Sequence, residues 1–211
     1  MNQDNTAPLF IAVDGIDGVG KSTQMNRLKE YLEIHVGEVL MVRDPGSTLL
    51  GSKLRELLLE SDLEMHRRSE AMLFMASRCE MVETVIKPAL QRGVTVISDR
   101  FLLANVVYQS IGGEVTSDEL WELGLLANGN LKPDLTLLFD MPAAEAARRR
   151  KDPADRMESR GVDYMESVRQ AFLRELPKSS SEVTVIDAGQ TPDEVTEQML
   201  GQITNLLDRR R

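Results

Sequence analysis

The chain has 211 residues and carries 25 lysines and arginines against 34 aspartates and glutamates, a formal net charge of −9. That length suits one full α/β core, and the acidic balance leaves no global field to draw in nucleic acid or anionic lipid, so anions must be held by local groups. The single cysteine, Cys79, precludes an internal disulfide and fits a reducing compartment. No cysteine or histidine pair has zinc spacing, and His35 and His66 are expected on exposed helix surface.

The opening "MNQDNTAP" is polar and has none of the features of a signal peptide. It reads as a flexible lead-in of eight residues. No apolar run approaches the roughly 20 residues that span a bilayer, so the chain reads as cytoplasmic, with neither membrane nor nucleic acid among its expected partners. The first apolar run, Leu9–Asp14, predicts a strand, and Met25, Leu28, Leu32 and Val36 mark a helix after it. Glu38–Arg43 is a second strand. A long helix follows over roughly Arg67 to Gln91, with Met72, Met75, Cys79, Met81, Val82, Val85 and Ile86 along it.

Further strands are predicted at Val94–Ser98, Leu135–Asp140 and Val183–Asp187, and Ser179–Val183 reads as an exposed loop. The runs are nearly continuous rather than alternating, as in parallel strands buried on both faces. Strand and helix alternate throughout, which predicts an α/β fold, a doubly wound parallel sheet of five strands flanked by helices on both faces, in one domain. One segment stands apart in composition. Ala143 to Arg160 is dense in arginine with a proline inside it, and a solvated helix end with its loop is one reading of it.

Gly15 to Ser22 satisfies G-x-x-x-x-G-K-[ST] between a strand and a helix. Its glycines free backbone N–H groups to converge on phosphate oxygens. Lys21 supplies a mobile cation, Ser22 a hard oxygen for Mg²⁺, and the helix N-terminus a partial positive charge. Gly15, Ile16, Asp17, Gly18, Val19, Gly20, Lys21, Ser22 and Thr23 are the expected ATP-binding residues. A regulatory GTPase would need D-x-x-G and N-K-x-D. Asp99-Arg100-Phe101-Leu102 lacks that glycine, and in Asn130–Asp134 an extra residue puts Lys132 out of register.

Four further stretches lie at strand ends or on facing helices: Arg43–Thr48 (RDPGST), Leu73–Arg78 (LFMASR), Asp99–Gln109 (DRFLLANVVYQ) and the arginine-rich segment. Phe74 and Arg78, four apart on one helix face, set an aromatic plane beside a fork of N–H donors, which suits a flat base with carbonyl oxygens. Core packing is the alternative for Phe74, and a surface salt bridge for Arg78. Together with the phosphate loop these stretches resemble the thymidylate kinases, in family order, from Phe10 to the last helix.

The resemblance implies a P-loop fold of the nucleoside monophosphate kinase type, phosphorylation of dTMP to dTDP with Mg-ATP, and a homodimer, for which the Met-rich long helix is a candidate interface. It implies dTMP contacts at Asp17, Asp44, Arg55, Phe74, Arg78, Arg100, Asn105, Tyr108 and Gln109. Phe74 would stack on thymine, Arg78 would donate to O4, and Asn105 would match N3–H and an adjacent carbonyl. Arg100 would hold the dTMP phosphate, Asp99 would lie near Mg²⁺ with Ser22, and Tyr108 would exclude a 2′-hydroxyl unless it is a buried structural tyrosine. Asp44 and Ser47 stand where relatives usually carry glutamate and glycine, Phe101 where a tyrosine or histidine is common, and Ala104 where a serine is.

A phosphate monoester is already largely dianionic at neutral pH, so positioning and charge cover should carry catalysis without a general base. Some relatives place an arginine inside the phosphate loop; Gly18 and Val19 occupy that region here. The resemblance therefore implies a lid at about residues 148–161 that supplies the cation, with Arg156 the best match and Arg148 to Arg150 and Arg160 nearby. Catalytic roles fall to Lys21, Arg100, Arg156 and Asp17, with an Asx turn the alternative for Asp17. A kinase of the same fold acting on another deoxynucleotide or deoxynucleoside is the alternative function, and a non-catalytic nucleotide-binding module is the rival from another class.

Overall fold

A computed structural model of the chain describes residues 7–149 and 161–210. Five parallel strands, β1 (Phe10–Asp14), β2 (Val39–Arg43), β3 (Thr95–Asp99), β4 (Leu135–Asp140) and β5 (Glu182–Asp187), lie in the order β2-β3-β1-β4-β5. Every strand falls within a residue of its sequence expectation. The three inner strands are buried along nearly their whole length. The outer two, β2 and β5, are not, because an edge strand has a neighbour on one side only and its side chains meet solvent.

The helices are α1 (Lys21–His35), α2 (Leu49–Arg55), α3 (Arg67–Met81), α4 (Lys87–Gln91), α5 (Leu102–Ser110), α6 (Ser117–Ala127), α7 (Ala143–Arg149), α8 (Val162–Glu175) and α9 (Pro192–Arg210). A π-helical turn at Val82–Ile86 joins α3 to α4, so the expected long helix is one continuous rod with a wide turn inside it. α1 packs on α9, while α3, α5, α6 and α8 form a second group. These groups surround the sheet and bury the apolar stripes of α1 (Met25, Leu28, Leu32) and α9 (Val195, Met199, Ile203). The inward face of α3 differs from the apolar pattern. Met72 and Cys79 point outward, and Glu70, Ser77 and Arg78 point inward beside Phe74 and Met75.

Register decides where the site forms. Val13 of β1 and Arg43 of β2 both pair with Asp99 of β3, so three strands end together and release Asp14, Asp44 and Arg100 at one edge. β1 lies at the switch point of the topology, where the strands that follow it in the chain divide to its two sides, and open α/β sheets bind ligands at such a crevice. Ser179 belongs less to an exposed loop than expected, since it is buried and its neighbour Ser180 donates to Thr136.

The loop after β1 is shaped by close approach. A Cβ on Gly18 (φ 90°) would lie 2.3 Å from the backbone oxygen of Ala146 in α7, whereas one on Gly20 (φ 89°) would have nothing within 4 Å. Gly18→Ala therefore meets both a left-handed φ and a backbone clash, and Gly20→Ala only the former. We expect Gly18→Ala to lose roughly 1–3 kcal/mol more than Gly20→Ala, read from urea unfolding through the fluorescence of Trp121, the chain's one tryptophan.

β1 also ends on a charge that the fold handles at a cost. Asp14 is fully buried and neither carboxyl oxygen has a hydrogen-bond partner among the described residues. Burial pushes its pKa up to about 7, against the pull of Arg100 and Lys21. The folded protein thus keeps a proton that an unfolded aspartate releases near pH 4. Stability contributed by this group is present at low pH and is lost as pH rises from about 4 to 7. Asp14→Asn should flatten that part of the stability profile, by on the order of 1–4 kcal/mol, measured as urea midpoints at pH 5 and pH 8.

Candidate active site

Lys21 begins α1 directly after the left-handed Gly20. Its ammonium donates to the backbone oxygens of Gly15 (2.9 Å) and Ile16 (2.8 Å) and to Asp17 Oδ1 (3.2 Å). Burial lowers its pKa, and Asp17 opposes the shift. From the other side Arg100, itself in the left-handed region at φ 65°, donates to the same Gly15 oxygen (3.0 Å) and the same Asp17 Oδ1 (2.8 Å). Burial alone would lower the pKa of Arg100, but Asp17, Tyr108, Asp99 and Asp14 hold it well above its ordinary value. Asp17 is thus an anion shared by two cations rather than only a turn residue.

Ser22 and Asp99 line one open cleft of about 270 Å³, together with Met25, Asn26, Met41, Val42, Arg43 and Ser47. Asp99 Oδ1 is buried without a hydrogen-bond partner among the described residues, and Oδ2 lies 3.6 Å from Arg43. A hydroxyl and an orphaned carboxylate oxygen on one cleft form a hard-oxygen set that fits Mg²⁺, whose remaining positions go to water and phosphate. No group of three or more His, Cys, Asp or Glu suited to a metal occurs among the described residues.

The opposite half of the crevice is a buried polar network. Asp44, at the cis Asp44–Pro45 bond, accepts from Arg78 Nε at 2.5 Å. Burial raises the pKa of Asp44 while Arg78 pulls it down. Arg78 is 1% exposed, so the ion pair it makes is fully buried, unlike the surface salt bridge that was its alternative reading. It also donates to Asn105 Oδ1 at 3.0 Å. Asn105 then bonds Gln109, and Gln109 bonds Glu70.

Phe74 is buried one turn before Arg78. Tyr108 lies under Arg100, ring centroid 5.3 Å from the guanidinium carbon, and edge-on to Phe172. Arg55 folds back to donate to the Pro45 oxygen, and burial and Arg43 lower its pKa. The structure therefore joins Asp17, Lys21 and Arg100 in one cluster and Asp44, Arg78, Asn105 and Gln109 in another.

Phe101, apolar where a hydroxyl was expected in relatives, packs edge-on against Phe10 and under Arg78. A hydroxyl there would need a partner in the core. Arg150, Arg156 and Arg160 lie outside the described residues. Arg149 is described and donates to the backbone oxygens of Ala188 and Gly189 in the loop after β5. Two functional candidates escaped the sequence reading. Asp14 is signalled only by a carboxylate ending an apolar strand, and Glu70 has no signal, because a glutamate in the first turn of a helix reads as an ordinary surface residue.

Residues 13–199 match the family model described as thymidylate kinase. A thymidylate kinase of Rhodopirellula baltica is 64% identical over 188 residues, covering 89% of this chain and 77% of the relative. One from Bifidobacterium longum subsp. infantis is 41% identical over 203 residues, covering 94% of this chain and 87% of the relative. One from Thermosipho melanesiensis is 40% identical over 201 residues, covering 95% of this chain and all of the relative. The phosphate loop, the Arg100 cluster and the matched span all lead to one assignment: the chain belongs to the thymidylate kinase family.

Proposed function

We propose that this chain phosphorylates dTMP with ATP by holding both phosphates against one shared cluster of cations. The observation that carries the reading is the convergence of Lys21 and Arg100 on Asp17 Oδ1 and the Gly15 oxygen. A donor cation and an acceptor cation share the same two oxygens, so anions that replace those contacts are brought side by side. The backbone N–H groups of Gly15 to Thr23 and the Lys21 ammonium receive the β- and γ-phosphates of ATP. Arg100 receives the dTMP phosphate, which is the nucleophile, and Asp17 stands between the two.

Ser22 and Asp99 would hold Mg²⁺, which when bound neutralises charge on the ATP phosphates. In the acceptor half, Phe74 stacks on thymine, Arg78 donates to O4, and Asn105, backed by Gln109, meets the N3 edge. Asp44 and Arg55 brace that wall through Arg78 and Pro45, and Tyr108, pinned under Arg100, excludes a 2′-hydroxyl. The remaining cation comes from a lid at about 148–161 through Arg156, closing over the phosphates and excluding water. Arg156→Ala should lower kcat by about 10³-fold with KM for dTMP little changed, in an ADP-release assay run also with dUMP, dCMP, dGMP and thymidine. Near-normal turnover removes Arg156 from this role, and equal rates on all acceptors would remove the assignment of dTMP.

We also propose a homodimer through the face of α2, α3 and α6. These helices pack on one another and expose Leu49, Leu50, Met72 and Leu126, apolar side chains whose burial against a second copy is favourable. Action in the cytoplasm fits the exposed, unpaired Cys79, and no helix among the described residues is long and apolar enough to cross a membrane. The double variant Met72→Arg/Leu126→Arg should halve the mass measured by light scattering. A mass that stays dimeric would place the interface elsewhere.

A further inference from the structure

Four buried side chains from α3 and α5 form a hydrogen-bond chain with one direction. Arg78 Nη1 donates to Asn105 Oδ1 (3.0 Å), Asn105 Nδ2 to Gln109 Oε1 (2.7 Å), and Gln109 Nε2 to Glu70 Oε1 (3.1 Å). Each of the four is at most 3% exposed. An amide has nearly the same shape after its oxygen and nitrogen exchange places, so shape does not fix the direction. The ends fix it. A guanidinium only donates and a carboxylate only accepts, so reversing both amides would oppose donor to donor at Arg78 and acceptor to acceptor at Glu70. Such mismatches are costly away from water.

We infer that Glu70 is a positioning residue that, through Gln109, holds the Asn105 amide in the orientation that selects thymine over cytosine. This rests on the reading in which Asn105 meets the N3 edge of the base. With Arg78 taking one lone pair of Oδ1, the other is an acceptor for thymine N3–H. Cytosine presents an unprotonated N3, itself an acceptor, and would need the amide reversed. Glu70, Phe74 and Arg78 stand at i, i+4 and i+8 along α3 and share its inward face. One helix therefore supplies the stacking ring, the O4 donor and the end of the chain that orients the N3 partner. Glu70 reaches the base through two other side chains and touches no reacting atom.

The test is Glu70→Gln, which keeps shape but accepts or donates equally well, so that reversal costs a mismatch at Arg78 alone. The ratio of kcat/KM for dTMP to that for dCMP should fall by at least about tenfold, with kcat at saturating dTMP changed much less. Adding Gln109→Glu restores an acceptor-only group one link nearer Asn105 and should recover the ratio. Should Glu70→Gln fail to fold, Glu70→Leu/Gln109→Leu removes the terminal pair without leaving a buried charge and should give the same loss.

Asn105→Ala separates the two layers of the argument. If it destroys selectivity and Glu70→Gln leaves the ratio unchanged, or lowers both substrates equally, the orienting role of Glu70 is overturned. If Asn105→Ala leaves the ratio unchanged, the base-edge reading beneath it falls instead.

Discussion

Everything in the crevice depends on bringing two cations to one carbonyl and one carboxylate. Lys21 and Arg100 would repel each other strongly in a site with little water, and Asp17 and the Gly15 oxygen make their proximity tolerable. The arrangement needs β3 beside β1 in the register that pairs Asp99 with Val13. It also needs the left-handed turn at Arg100, whose N–H donates to the Val13 oxygen. A slip of one residue would send Arg100 to the other face of the sheet. The phosphate loop by itself therefore presents one cation, and strand order brings a second to the same two oxygens.

The buried polar network around Arg78 follows different physics. Asp44 and Arg78 are both about 1% exposed at the side chain, and a buried ion pair is weak evidence of stability because desolvation offsets its attraction. What the pair gives is definition. Arg78 has its Nε committed to Asp44 and Nη1 to Asn105, and Phe101 beneath it fixes the plane of the guanidinium. The donors of this wall thus already point in set directions, and a ligand that meets them leaves little ordering to be done.

The strands, the phosphate loop and the two main helices were legible because each is written in neighbouring residues: apolar runs for β1, β3 and β4, the spaced glycines, and the apolar spacing of Met25, Leu28 and Leu32 in α1. The same local logic groups Met72 and Cys79 with the apolar residues of the long helix, although both point outward. α3 turns its charged residues inward because partners on other elements are there to receive them. Arg78 was singled out for its spacing from Phe74, but its tie to Asp44 joins residues 34 apart, which no window of sequence displays. Glu70 was invisible for the same reason, since its meaning lies in Gln109, 39 residues away.

Gly18 carries a further consequence for the ground around its loop. Its missing side chain leaves room for the Ala146 oxygen, and α7 leads straight into the arginine-rich segment. A side chain at this position would occupy that room and displace α7. In this chain an arginine at position 18 and the present seat of α7 are alternatives on steric grounds. Placing a charge there would require α7 to be rebuilt together with the loop.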